Sequence, residues 1–470
     1  MSLSIKEQSL ESRISEFAAG LRYEDLPPAV ALDSKYRVLD WLGSALAGSR
    51  YKPALIITKL VTDAGGAPQS SILLTGMKVP AAQAALAHGV LGHAAEYDDG
   101  HRLAIAHPGA VTVPASLAVA ESLGRSGKEL LTAIVAGYEV LIRLGTAVNP
   151  SHYQVWHTTG TCGTFAAAAS AACLLKLNPS QTQMCLGIAG TMACGLQQTF
   201  GTDAKPLNAG HACQSGVQAA LLAIEGFTGP EDILHGPKGF VAATTPHFNS
   251  APLEHIKERQ FLSTSAFYKV YASCGHTNSP LDAVFSTLQC RELPVPSIKA
   301  VHIATYRTAV QLAGDFKNQS EEAAKFSLPY CVAIALLFRK VTLAEFAPDK
   351  LADPAVVELA RKIHVSENPE ATAAFPRERQ ATVVFELHGG QVIEERIRFP
   401  HDTPDYKNLE EKFLSSAEMA IDSQRARLVK DMVLNLEQHS RLDSLMETLR
   451  GDSRPAPVAS AGRTDSRHIP

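Results

Sequence analysis

Residues 8–22 place Leu10, Ile14, Phe17 and Leu21 at three- and four-residue spacings, which predicts an amphipathic helix with one apolar face. The apolar pattern then thickens. Residues 81–95, 111–124 and 128–147 are long Ala/Leu/Val runs with no internal proline except Pro114, and residues 161–176, 179–196 and 210–226 continue the theme. So many small side chains predict helices whose backbones pack closely on one another. The fold class expected is therefore mainly α, with a large all-helical domain over residues 1–267.

The pattern changes after that point. SIKAVHIATY (297–306) alternates like a strand, and ATVVFELH, Gly389-Gly390 and QVIEERIRF across 380–399 read as a β-hairpin. Between them, 321–339 and 354–363 have helical patterning, so residues 268–404 form a smaller α+β domain of ordinary size. Residues 405–449 return to helical patterning and are expected to pack back on the first domain. The segment 450–470, rich in Pro, Ser, Gly and Arg, is expected to be disordered.

Composition narrows the function classes. The 470 residues are 46% hydrophobic and 19% charged, with a formal net charge of −4. That charge gives no support for a nucleic acid or an acidic membrane as partner, so any anion must be held by a local cluster of cations. No apolar run is expected to cross a bilayer, and MSLSIKEQSLESRISEF lacks a secretory core. Eight cysteines are scattered without CxxC spacing, several in apolar context, which fits a reducing cytoplasm better than a disulfide framework.

Candidate chemistry lies in five segments. HGVLGHAAEYDDGHRLAIAHPG (88–109) gathers His88, His93, Glu96, Asp98, Asp99, His101, Arg102 and His107 at a helix end and the loop after it. Interacting ionisable groups at such density point to a reactive site; simple helix capping is the plain alternative. Metal ligation is a further reading, but HExxH and zinc-finger spacings are absent. VWHTTGTCGTF (155–165) carries His157 before a helix whose first N–H groups could face an anion, or whose Thr158 or Thr159 merely caps it. FGTDAKPLNAGHA (200–212) holds Lys205, solvated unless it joins other cations around a polyanion. AFYKVYASCGHTNSPLDAV (266–284) holds Lys269, Tyr271, Cys274 and His276, with Cys274 a possible thiol nucleophile. KFSLPYCVAIALL (325–337) places Tyr330 at the head of an apolar helix, where core packing is the plain reading.

Taken in order, EYDDGHRLAIAHPG, WHTTGTCGTFAAA, GTDAKPLNAGHA and KVYASCGHTNSPLDA resemble the MmgE/PrpD family, over residues 8 to 445. The family includes 2-methylcitrate dehydratases, cis-aconitate decarboxylases and iminodisuccinate epimerases. The resemblance implies a helical domain, an α+β lid, a site between them, a homodimer, and no cofactor or metal. It implies catalytic positions at His107, His157, Lys205, Lys269 and Tyr330, with Glu96, Asp99, His101 and His276 as substrate-binding positions. Two positions depart: the family often has Asp where this chain has Glu96 and Thr where it has Gly100.

These residues suit proton transfer on a small di- or tricarboxylate. Lysines would hold carboxylates and stabilise an enolate-like dianion, while histidines move protons near neutrality. One pocket of this kind serves a cis-aconitate-type decarboxylase, a 2-methylcitrate-type dehydratase or an iminodisuccinate-type epimerase. KVYASCG and the stretch from Gly100 to His107 resemble the decarboxylase branch more than the dehydratases, and that resemblance implies the decarboxylase. The alternative from another class is a catalytically silent homologue that only binds a carboxylate ligand.

Overall fold

The Ala-rich runs fold as helices because little within them opposes it, and the one internal proline, Pro114, is accommodated within its helix. In the computed structural model, which describes residues 8–401 and 406–451, the first part of the chain forms nine long helices. They are α1 (Leu10–Gly20), α2 (Pro28–Gly48), α3 (Lys52–Ala64), α4 (Ala81–Ala94), α5 (Gly109–Leu123), α6 (Gly127–Val148), α7 (Thr158–Leu175), α8 (Pro179–Met192) and α9 (Ala204–Ile224). Reciprocal capping boxes start two of them: Ser126 with Glu129 at α6, and Asn178 with Gln181 at α8. Every residue of α7 from Thr158 to Ala172 is buried. By length and composition α6 and α7 pass as membrane spans, against the expectation of no such run. Yet 94% and 89% of their apolar windows lie inside the fold, as in the core helices of a globular protein.

The crossing of α4 and α9 sets the site. A Cβ added at Gly89 would lie 2.7 Å from Gly210 Cα, and one at Gly210 would lie 2.5 Å from Leu86 O. The two backbones touch, which brings the end of α4 beside the start of α9. Gly210→Ala is therefore expected to lower the melting temperature. The ~1 kcal/mol that Ala gains over Gly inside a helix is outweighed by about 1–3 kcal/mol of overpacking. Gly20→Ala, where an added Cβ meets nothing within 4 Å, serves as the control and should not lower it.

A short ribbon, β1 (Ser70–Ser71) with β2 (Lys78–Val79), lies among these helices. The second unit carries a four-stranded sheet of β3 (Ile298–Thr305), β4 (Ile363–Glu367), β5 (Ala381–Leu387) and β6 (Val392–Ile397), in the order β4-β3-β5-β6. β3 and β4 run parallel, and the other pairs are antiparallel, with Val301 opposite both Ile363 and Phe385. Ile298, Val301 and Ile303 of β3 face a core shared with Leu281 and Val284 and with the helix Leu328–Phe338. The expected helix over 321–339 breaks at Lys325–Ser327, where Ser327 caps a new start with Pro329 in its first turn. The helix expected over 354–363 ends at Ala360, and Ile363 opens β4 instead.

The helices Tyr406–Ala417 and Ser423–Leu434 return to the first unit, where Leu409, Phe413 and Val429 join its core. Ala47, Tyr51, Ala94, Ala95 and Tyr97, from the ends of α2 and α4, join the core of the second unit instead. The ends of these two helices are thus the hinge of packing between the halves. Of the segment expected to be disordered, residues 452–470 lie outside the described residues.

Candidate active site

The end of α4 delivers the central cluster. His93 lies in its last turn, and Glu96 follows in a left-handed conformation with φ +56°. That backbone is uncommon for a residue with a Cβ and marks a constrained loop. Glu96 is buried, and its carboxylate bridges two cations: Oε1 accepts from Lys205 Nζ, and Oε2 lies 3.3 Å from Lys269 Nζ. Lys269 also donates to the Glu96 carbonyl at 2.7 Å. Lys205, in the first turn of α9, donates to His93 Nε2 at 3.0 Å, and His93 Nδ1 meets Asp98 Oδ2 at 2.9 Å. The result is a chain Asp98–His93–Lys205–Glu96–Lys269 in which two carboxylates balance two ammonium groups.

His107 stands on the neighbouring loop. Its Nδ1 donates to Asp99 O at 2.6 Å, which leaves Nε2 without a proton in the neutral ring. Its backbone N–H donates to Thr159 Oγ1 at 3.1 Å. The hydroxyl-rich start of α7 thus anchors the His107 loop. The N-cap of α7 is His157 itself, rather than Thr158 or Thr159. His157 Nδ1 lies 3.3 Å from Asn208 Nδ2, and its ring packs edge-on against Phe200.

The second unit closes the pocket. His107, Lys205, Tyr153 and Phe200 line one side, and Cys274, His276, Phe326 and Arg379 line the other. Phe200 and Phe326 lie 5.3 and 5.1 Å from Lys205 Nζ, so the ammonium is flanked by two aromatic rings. His276 Nδ1 meets Tyr306 OH at 2.8 Å. The enclosed space is about 30 Å³, room for water rather than a polycarboxylate, so admitting a substrate requires the two faces to move apart.

Several sequence expectations need correction. Tyr330 does not line this pocket: its hydroxyl donates to Glu345 O at 2.8 Å, and its ring packs on Phe346 in the core of the second unit. The Asp99 carboxylate turns away, bound by Arg37, by Tyr138 OH at 2.7 Å and by Gly109 N at 2.9 Å. Asp99 therefore supports the loop and leaves no free oxygen for a substrate. Glu96 is an internal counter-ion rather than a substrate contact. His101 is buried in the pocket lining, but its ring is already engaged: Nε2 meets Ser265 Oγ and Nδ1 accepts from Ala104 N. A Cβ at Gly100 would meet the Phe267 ring at 2.6 Å, which explains why this chain has no threonine there. Burial and the nearby Glu96 push the Cys274 thiol up, which keeps it protonated and unsuited to attack.

Some side chains in and around the pocket had no signal strong enough to single them out. His93 and Asp98 sit in the dense segment, but their pairing depends on the turn at Glu96. Phe200 and Asn208 sit in the segment singled out for Lys205, while Tyr153 and Arg379 lie in stretches without distinctive spacing. His93, Asp98 and His107 offer possible metal-ligand atoms within 4.8 Å of one another. The hydrogen bonds from His93 to Asp98 and from Lys205 to His93, with Lys269 close by, suit a proton network better than an added dication.

Electrostatics fix the resting charges. Burial would raise Glu96, but Lys205 and Lys269 hold it well below the usual carboxylate range. Burial, helped by Lys269, His93 and Lys205, lowers His107 well below its ordinary value against the pull of Asp98. Burial and Lys205 likewise hold His157 well below its ordinary value. Both rings are neutral near pH 7. Elsewhere, burial lowers His88 and His152 to about 4 and His101 to about 3. The unfolded chain therefore binds more protons than the folded one below pH ~6.5, so stability falls as pH is lowered through that point. Thermal melts at pH 5 should give a lower midpoint than melts at pH 7.5; equal midpoints would refute the neutral assignments.

Fold and site together define a two-part, α-rich protein with a buried acid–base cluster at the junction of its parts. The MmgE/PrpD N-terminal domain matches residues 12–252, and the MmgE/PrpD C-terminal domain matches residues 271–438. The chain belongs to the MmgE/PrpD family. Among curated relatives, the cis-aconitate decarboxylase of Aspergillus terreus is 26% identical, covering 94% of this chain and 96% of its own length. A cis-aconitate decarboxylase-like protein of Aspergillus oryzae is 25% identical, covering 96% of this chain and 99% of its own. The cis-aconitate decarboxylase of Homo sapiens is 26% identical, covering 95% and 96%.

Proposed function

We propose that this chain is a cofactor-independent lyase that decarboxylates cis-aconitate or a close tricarboxylate. One observation carries the reading: Lys205 stands in the pocket wall, bound to Glu96 and His93, with two neutral histidines beside it. The names of the full-length relatives support the same substrate class.

The chemistry follows from those charges. The C–C bond to the carboxylate on the methylene carbon breaks, and carbon dioxide leaves. The electron pair forms a new terminal double bond, and the former double bond takes a proton at its other carbon. Negative charge builds on the carboxylate attached to that carbon, where Lys205 and Lys269 stabilise it. The triple charge of the substrate raises the depressed His107 and His157, so one of them becomes the imidazolium that donates the proton. The aromatic wall of Phe200 and Phe326 favours loss of charge from the departing carboxylate. The active form is expected to be a homodimer; exposed Leu221, Leu222 and Phe227 at the end of α9 and just beyond it offer apolar surface for pairing.

The test is a headspace assay for carbon dioxide with cis-aconitate, run beside 2-methylcitrate and iminodisuccinate under the same conditions. Carbon dioxide from cis-aconitate alone supports the reading. Water loss from 2-methylcitrate or inversion of iminodisuccinate, without carbon dioxide, would replace it. Tight binding with no turnover of any of the three would favour a silent homologue.

A further inference from the structure

Lys205 and Lys269 are already answered by Glu96 and Asp98, and the pocket histidines are neutral. A tricarboxylate therefore brings more negative charge than the lysines leave uncompensated. Burying it needs a further cation whose charge is not already matched.

We propose that Arg379 is that cation: it binds a carboxylate that Lys205 and Lys269 do not hold, and it selects tricarboxylates over dicarboxylates. The side chain is 5% exposed and lines the pocket from the second unit. Its Nη1 donates to Gly275 O at 3.4 Å and its Nη2 to Arg102 O at 3.3 Å, both long for charged donors. Its buried Nε has no partner, and among the described residues no carboxylate pairs with this guanidinium. A buried arginine without a carboxylate is costly unless a ligand supplies one. The backbone around it is fixed. Ser279 Oγ donates to the Arg379 carbonyl, Thr305 Oγ1 donates to the Gln380 carbonyl at 2.8 Å, and β5 begins at Ala381. The planar fork is thus held ready for two-point binding of a carboxylate, with Phe267 5.6 Å beneath it.

The inference rests on the reading of the pocket as a polycarboxylate site, and a binding test keeps the two apart. Wild type, Arg379→Gln and Arg379→Lys are titrated calorimetrically with tricarballylate and glutarate, after circular dichroism has shown each to be folded. Arg379→Gln should weaken tricarballylate by about 10- to 100-fold, the size of a lost charge-assisted pair. The preference for tricarballylate over glutarate should fall by about tenfold or more, and Arg379→Lys should recover part of it. Unchanged tricarballylate affinity in Arg379→Gln, or an unchanged preference, would overturn the assignment even if the wild type releases carbon dioxide from cis-aconitate. A collapsed preference would uphold it even if the wild type turns over nothing. A wild type with no affinity for tricarballylate would remove both readings.

Discussion

Lys205→Met is expected to lower turnover of the substrate at least about a hundredfold, the usual loss when a charge-stabilising group is removed from a dry site. Lys205 is buried, donates to His93 and pairs with Glu96, and lines the pocket beside His107. Its removal takes away the cation at the developing dianion and also leaves Glu96 with Lys269 as its remaining bonded cation. The first effect is chemical and the second structural, so they separate in a double variant. Glu96→Gln combined with Lys205→Met should restore much of the melting temperature and none of the turnover. Turnover within about threefold of wild type in Lys205→Met would remove the residue from the reaction.

Arg37→Met should cost about 3–5 kcal/mol of stability, the range for breaking a buried pair from one side. Arg37 is 1% exposed and holds Asp33 through Nε at 3.0 Å, Asp99 through Nη1 at 3.2 Å and Ala266 O through Nη2 at 2.7 Å. Its guanidinium also lies 3.8 Å from the centre of the Tyr268 ring. Without it, two buried carboxylates lose their cation. Burial already raises Asp99 to about 6 against the pull of Arg37, so Asp99 would become protonated at neutral pH. The loop that Asp99 anchors through Gly109 N carries His107, so turnover should fall in the fraction that still folds. Urea denaturation measures the first effect; a midpoint shift worth less than about 1 kcal/mol would refute it. Arg37→Lys should recover little, because a single ammonium cannot span Asp33, Asp99 and the Ala266 carbonyl.

The helices were legible because alanine-rich runs, broken only by Pro114, leave few other options. The hairpin at Gly389-Gly390 was legible through its alternation. β4 was not: of Ile363–Glu367 only Ile363 is fully buried, so no period-two pattern stands out, and its pairing with β3 joins residues some sixty apart. The break before Tyr330 left signals in Ser327 and Pro329, but the apolar run around them hid it. His107, Lys205 and His276 reach one pocket, with His157 and Lys269 outside its lining, because each sits beside a helix start or loop that the core fixes in place. Tyr330 does not join them, since its hydroxyl finds a carbonyl partner inside the second unit. Arg379 gave no signal because FPRERQ reads like any charged surface turn. Its burial arises only when the second unit folds on itself around Gly275 and against Phe267.

The most direct measurement follows cis-aconitate by proton NMR in deuterated buffer with the purified protein. Itaconate carrying one deuterium at its methylene carbon is the expected product, because a neutral histidine takes its proton from solvent before passing it to the substrate. A spectrum of unchanged cis-aconitate, under conditions where the protein is folded and binds tricarballylate, would contradict the decarboxylase.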